Sequence, residues 1–339
     1  MASSPIVTGL LAYGMSGRIF HAPFVALNPG FELRAVVERH EKKAARDYPA
    51  VTSYSSVEKL LKDTAIELVI VNTPPYTHFD LAKKALEAGK HVLVEKPMVT
   101  TSEEVKTLYD LARSVGRHLM VYQNRRWDSD FVSMKKMIES GRLGELIEVH
   151  FRFDRYKTAL SPKIFKETKS FAGSGLIYDL GPHLIDQAIS IFGRPLSFSK
   201  TKGVYRENSE VPDYFHFHVK YPNQLNVYLT SGLLIAEPTP SFVAHGTLGS
   251  YLKNRVDVQE AQLDKGIWPN VPEYGFEPEG EEGLLVTFDE NAHKITEYIP
   301  SERGNYMHLF DAVNHTIRNN ALYPVTEEHI AWQMELLES

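Results

Sequence analysis

Cysteine is absent from all 339 residues, which excludes disulfides, Cys-ligated zinc and thiol nucleophiles before any other argument begins. The absence also fits a reducing compartment. A strong charge of either sign is missing too: the net charge is −6 and the pI is near 6.2. There is thus no electrostatic footprint for DNA, RNA or an anionic membrane surface. No nucleic-acid partner is expected, and a small molecule is. No run reaches the roughly 18 apolar residues of a membrane span. The opening MASSPIVTGLLAYG has an apolar stretch with neither a basic n-region nor a small-residue cleavage site, so the reading is a cytoplasmic protein without membrane association.

What is present is alternation. From Ile6 to Tyr122, short β-rich runs (Ile6–Leu11, Phe31–Val37, Val51–Tyr54, Leu68–Asn72, His91–Glu95, His118–Tyr122) alternate with amphipathic stretches such as Thr77–Ala88 and Ser102–Val115. Successive βα units around a parallel sheet have this pattern. Ser102, followed by Glu103 and Glu104, reads as an N-cap, and Gly89 and Gly116 read as C′ stops. After Asn124 the pattern changes to a helix (Phe131–Glu139) and alternating runs, Leu146–Arg155, Phe215–Tyr221, Leu225–Ser231 and Ile295–Ile299, separated by Pro- and Gly-rich turns. The expected fold is α/β: a Rossmann dinucleotide-binding domain over residues 1–123, then an α/β domain over 124–339 with a mainly antiparallel open sheet. Trp268–Gly283 reads as one long surface loop.

After the first strand, Ala12-Tyr13-Gly14-Met15-Ser16-Gly17 matches the G-x-G-x-x-G pyrophosphate turn at its last two glycines, with Ala at the first. Gly14 lets the backbone approach a pyrophosphate, and the N–H groups of Met15 to Gly17 with the helix N-terminus offer partial positive charge. Ala12 serves if its φ is negative. At the end of the second strand Glu38 stands where an acid hydrogen-bonds the adenine ribose hydroxyls and repels a 2′-phosphate, which favours NAD over NADP. Arg39 either binds a 2′-phosphate, lies against the adenine, or is a solvated surface charge.

The fifth strand ends in Glu95-Lys96-Pro97, at the carboxyl edge of a parallel sheet, where such folds place their ligands. Desolvation beside a nicotinamide would lower the Lys96 pKa and let it donate to a substrate oxygen or join a proton relay. The plainer alternative is a salt bridge capping a strand end. Asn72, Thr73 and Pro74, after the fourth strand, are placed to touch the ribose and nicotinamide side of a dinucleotide; His78 either joins them or is only a cap-region residue.

The opening GLLAYGMSGRIFHAPF, then IELVIVNTPPYTHF, HVLVEKPM, VYQNRRWDSDF, GSGLIYDLGPHLIDQ and DYFHF together resemble the Gfo/Idh/MocA oxidoreductase family, nearly end to end, and within it the inositol and sugar dehydrogenases. The resemblance implies NAD(P)-linked oxidation of a secondary alcohol of a cyclic polyol or sugar, with a lysine–aspartate–histidine set that falls on Lys96, Asp179 and His183. It also implies that Asn124 and Arg125 lie beside the substrate and donate to its hydroxyls. The chain departs from the family at Ala12 and in ending without a short terminal strand.

In Tyr178-Asp179-Leu180-Gly181-Pro182-His183, proline fits the first turn of a helix, with Asp179 just before it and His183 inside it. A helix N-terminus disfavours the imidazolium, so His183 is suited to accept a hydroxyl proton as hydride leaves carbon, and Asp179 either to orient the imidazole or to hold a neighbouring hydroxyl. The plainer alternative is a capping Asp179 and a packed His183. Arg155 and Tyr156, at a strand end, either reach the sugar or pack on a sheet face. His216 and His218 share one strand face, but without a third ligand they read as sheet-surface histidines, and no metal is expected. Two other functions fit the cofactor fold: a glycosidase that retains NAD and oxidises transiently, and a non-catalytic sensor. The exposed sheet face of the second domain is expected to be covered in a homodimer or homotetramer.

Overall fold

Residues 4–338 are described by a computed structural model. Six strands, β1 (Ile6–Leu10), β2 (Phe31–Val37), β3 (Thr52–Tyr54), β4 (Leu68–Val71), β5 (His91–Glu95) and β6 (Leu119–Tyr122), form one parallel sheet. The order is β3-β2-β1-β4-β5-β6. Every residue of β4 and β6 is buried, as expected for parallel strands covered on both faces by crossover helices. The strand order reverses between β1 and β4, which opens a crevice at their carboxyl ends.

The helix Ser102–Ser114 is capped by Thr101, not by Ser102 as the sequence suggests. Thr101 Oγ1 accepts from Glu104 N at 3.2 Å, and Glu104 Oε2 accepts from Thr101 N at 3.1 Å. The capping box needs an acid three residues after the cap; counted from Ser102 that position is Val105, which cannot reach back. Gly89 and Gly116 end their helices at φ of +73° and +63°, a conformation that glycine adopts without a Cβ penalty.

The chain forms two compact units. One contains the sequence up to Asn124 together with Glu260–Tyr274 and Tyr306–Ala331; the other contains Arg125–Gln259, Gly275–Asn305 and the residues from Trp332 on. Two segments read from sequence as part of the second domain therefore belong to the first unit. The reason is aromatic packing and charge: Phe24 stacks on Phe310 with centroids 5.4 Å apart, Tyr274 and Tyr306 meet Phe24 at 6.4 and 6.0 Å, and Arg318 makes a two-pronged contact with Glu67 at 2.7 and 2.9 Å.

The second unit is built on eight strands, β7 (Leu146–Arg152), β8 (Ser197–Gly203), β9 (Tyr214–Lys220), β10 (Asn226–Gly232), β11 (Phe242–Gly246), β12 (Gly249–Lys253), β13 (Gly283–Phe288) and β14 (Lys294–Ile299). Their order is β14-β13-β12-β11-β7-β10-β9-β8, antiparallel except for β7 with β10. One face buries Val149, Phe151, Phe215, Phe217, Val227, Leu229 and Phe242 beneath the helices Ser129–Glu139 and Gly181–Phe192. On the other face the register aligns His218, Tyr228, His150, Val243, Leu252, Leu284 and Tyr298 in one row across the sheet. The segment 268–282 has neither helix nor strand, but it is not simply a surface loop: Tyr274 is fully buried, and Glu277 forms a buried ion pair with Lys253.

Candidate active site

The turn after β1 is shaped by a side chain from β4's far end. Asn72 Nδ2 donates to Ala12 O at 2.8 Å while Asn72 Oδ1 accepts from Ala12 N at 3.0 Å. The Asn72 amide, expected at the ribose, thus faces the turn and fixes it. Ala12 has no positive φ, which is how alanine substitutes for the first glycine. Gly17 is required by close approach: a Cβ there would lie 2.2 Å from Ala12 O and 2.8 Å from Asn72 Nδ2. A Cβ on Gly14 would meet nothing within 4 Å, so that side of the turn is open to a ligand, and the turn fits a pyrophosphate. The chain then enters a π-helical turn, Gly17–His21, before the helix Ala22–Leu27; such turns recur at functional sites. Tyr13 is buried, and its hydroxyl donates to Asp47 at 2.6 Å; burial and Asp47 both push its pKa up.

Glu95 is the hub of the unit. Its Oε1 receives Ser16 Oγ at 2.6 Å and lies 2.8 Å from His21 Nε2, and its Oε2 accepts from Lys96 N at 3.2 Å. Burial pushes the Glu95 carboxyl up, but His21, then Ser16 and the Lys96 charge, outweigh it and hold the pKa at about 2. The strand-end carboxylate therefore ties the glycine turn (Ser16), the π-helical turn (His21) and the backbone of Lys96 together. His21 was not singled out in the sequence; its signal was its position before Ala22-Pro23, where a proline-started helix begins. The Lys96–Pro97 bond is cis, and Pro97 O lies 2.8 Å from His78 Nδ1 while Thr73 O lies 2.8 Å from His78 Nε2. His78 is thus a buried brace between the two loops that follow β4 and β5, more than a cap-region residue. Burial pushes its pKa down against the pull of the two carbonyls. Thr73 Oγ1 lies 2.6 Å from Thr77 Oγ1, which bonds Pro74 O at 2.7 Å.

Glu38 departs from its expected role. It is 8% exposed, and its carboxylate accepts from Lys43 N at 2.7 Å, Ala44 N at 3.2 Å and Ser53 Oγ at 2.6 Å. Those donors hold the strand end to the next helix and to β3 and leave the acid turned inward. Arg39 is exposed.

In the second unit, Pro182 lies in the first turn of the helix Gly181–Phe192, as its sequence indicates. Asp179 ends the short helix Leu176–Asp179 and does not cap the next one; instead Asp179 Oδ1 accepts from Lys166 Nζ at 2.8 Å. His183 is 5% exposed. Its helix is fixed from one side by Gln333, which donates to Pro182 O at 2.8 Å. On the other, Arg126 makes a two-pronged contact with Asp186 at 2.8 and 2.7 Å, and Gln187 donates to Arg125 O at 3.3 Å. Arg125, expected beside the substrate, has both terminal nitrogens engaged by carboxylates, Nη1 by Asp128 at 3.0 Å and Asp257 at 2.9 Å, and Nη2 by Asp257 at 3.0 Å. Burial raises the Asp257 pKa, but Arg125, then Arg255 and Arg155, pull it down overall. Arg125, Arg155 and Arg255 surround the Phe153 ring at 4.9, 4.9 and 4.3 Å. Asn124 is buried in the turn Asn124–Trp127, and Tyr156 is 63% exposed. His216 and His218 stack on Tyr228 at 5.7 and 4.7 Å, and among the described residues no group of three His, Asp or Glu is arranged to hold a metal.

Two family models match: one described as the oxidoreductase family with an NAD-binding Rossmann fold, over residues 7–123, and the GFO/IDH/MocA C-terminal domain, over residues 131–252. The chain belongs to the Gfo/Idh/MocA family. This oxidoreductase is 38% identical to the uncharacterized oxidoreductase YdgJ of Escherichia coli, covering 99% of this chain and 95% of that one. It is 35% identical to the scyllo-inositol 2-dehydrogenase (NADP(+)) IolW of Bacillus subtilis, over 95% of this chain and 89% of that one. Among solved structures it matches an oxidoreductase, yvaA, from Bacillus subtilis with a TM-score of 0.94 at 34% identity, covering 100% of this chain and 96% of the other. As a Gfo/Idh/MocA protein it is related to polyol dehydrogenases, and its first sheet is the NAD-binding fold of that family. No helix of the described residues is long and apolar enough to cross a membrane.

Proposed function

We propose that the protein interconverts a secondary alcohol of a cyclic polyol or sugar, inositol-like in its ring of hydroxyls, with the ketone. The nicotinamide of a bound NAD(P) supplies the chemistry by accepting or returning the hydride. Lys96 donates a hydrogen bond to the reacting oxygen, His183 takes the hydroxyl proton and Asp179 positions the substrate. The observation that carries this reading is the contact of Ser16 with Glu95: it couples the glycine turn to the residue before Lys96, so the lysine is set by the same lock that sets the cofactor turn. The test is absorbance at the reduced-nicotinamide band with NAD or NADP and a panel of inositols and pyranoses. Turnover with at least one polyol is expected; intact cofactor binding with no turnover on any of them contradicts the reading.

For the cofactor, we propose NADP in preference to NAD. The argument for NAD needs a Glu38 carboxylate turned toward the ribose, and Glu38 spends its oxygens on Lys43, Ala44 and Ser53. Arg39 remains as an exposed guanidinium next in the chain, suited to a 2′-phosphate, and the Bacillus subtilis relative is named for NADP(+). Arg39→Ala is expected to raise KM for NADP by about tenfold or more, the worth of a hydrogen bond to a charged group, with KM for NAD nearly unchanged. Equal increases for both cofactors would place Arg39 against the adenine, and no increase for either would assign it to the surface.

We further propose that a second copy of the chain covers the outward face of the eight-stranded sheet. That face carries the partly exposed Val243, Leu252 and Leu284 and the 71% exposed Tyr298 in one row with stacked His150, Tyr228 and His218, a contiguous row of the kind that partners cover. Sedimentation is expected to show a dimer or tetramer, and Leu284→Asp with Tyr298→Asp a shift toward monomer. A monomeric wild type contradicts it.

A further inference from the structure

The carboxylate of Asp179 is held by Lys166 at 2.8 Å, with the two side chains 28% and 35% exposed. Ion pairs this exposed add little to stability, yet the lysine is delivered by a heavily pinned segment. Lys166 O accepts from Gly175 N at 3.0 Å, and Asp179 N donates to Gly175 O at 3.1 Å, so main chain as well as side chain ties Lys166 to the short helix that ends in Asp179. The next residue, Glu167, points the other way: it accepts from Arg206 Nη2 at 2.7 Å and from Ser161 N at 2.8 Å. The Arg206 side chain is 3% exposed and also pairs with Asp213, itself 1% exposed. Gly175 closes the segment at φ +83°, where a Cβ would press on Pro212 O and Val211 at 3.2 Å. Adjacent residues thus do opposite work: Glu167 anchors the segment in a buried charge network, and Lys166 presents an ammonium to the half-buried Asp179.

We propose that Lys166 is a positioning residue for Asp179, fixing the carboxylate so that it meets a substrate hydroxyl in one orientation. The inference rests on the dehydrogenase reading above, in which Asp179 touches substrate. The ammonium on Oδ1 restricts the orientation of the carboxylate before substrate arrives, and that preorganisation acts on the chemical step.

The test uses the full-length enzyme with its best polyol, comparing Lys166→Met and Lys166→Arg. Lys166→Met is expected to lower kcat about tenfold or more, to leave the dissociation constant of the cofactor unchanged, and to shift Tm by less than about 2 °C. Lys166→Arg is expected to restore kcat to within about threefold of wild type, because a guanidinium can bond the same oxygen. Wild-type kcat in Lys166→Met, or a Lys166→Arg variant as impaired as Lys166→Met, overturns the positioning role while leaving the dehydrogenase reading intact. A wild type that turns over no polyol overturns that reading and this inference with it.

Discussion

Lys96→Ala is expected to lower kcat by about 10²- to 10⁴-fold, the contribution of a well-placed proton donor, with the cofactor dissociation constant changed by less than about threefold. The asymmetry follows from the geometry. The backbone of Lys96 is fixed through Lys96 N on Glu95 Oε2 at 3.2 Å, and Pro97 O is fixed by His78 at 2.8 Å. Truncating the side chain leaves both in place, and the glycine turn keeps its Asn72 brace. On the proposed mechanism, what is lost is a donor to the reacting oxygen. Steady-state kinetics with a titration of reduced cofactor separates the two effects; a variant that loses cofactor binding and keeps kcat at saturation would make Lys96 a binding residue.

Glu95→Ala carries the largest expected stability change. Its carboxyl is held at about 2 against a usual 4.5, a difference worth about 3 kcal/mol. Leaving a buried hydrogen-bonding group without its partner costs roughly 1–3 kcal/mol, and the His21 and Glu95 side chains are 0% and 14% exposed. A loss of about 3 kcal/mol at neutral pH satisfies both estimates. Because the folded-state pKa is depressed, this stabilisation is complete above the usual carboxylate range and is lost as the pH falls toward 2. Urea denaturation across that interval is expected to show the gap between wild type and variant closing as acid is added. A gap that stays constant would assign the effect to a packing defect.

The first sheet was legible because its information is local. Buried runs such as Leu68–Val71 and a glycine turn between a strand and a helix declare themselves within a few residues, and Pro182 marks its helix start the same way. The site was less legible wherever a side chain serves a partner distant in sequence. Asn72 stands where a ribose contact is expected, but its partner is Ala12, 60 residues away. Glu38 has the residue type of a ribose ligand, but Ser53 and the turn at Lys43 consume it. His21 meets Glu95 across 74 residues, and Lys166 meets Asp179 across a loop with no periodicity. The segments Glu260–Tyr274 and Tyr306–Ala331 return to the first unit through rings such as Tyr274 and Phe310, and ring packing at long range has no spacing to read. The position of a residue type at a strand end was thus sound, and its hydrogen-bond partner was not.

The central claim is that hydride passes between substrate carbon and nicotinamide under Lys96, Asp179 and His183. The most direct measurement is single turnover with a polyol deuterated at each ring carbon, followed by mass spectrometry of the cofactor. The account predicts one deuterium in the reduced nicotinamide from wild type and about 10²-fold or more slower labelling in Lys96→Ala; a converted polyol with its deuterium lost to water and none in the cofactor would contradict it.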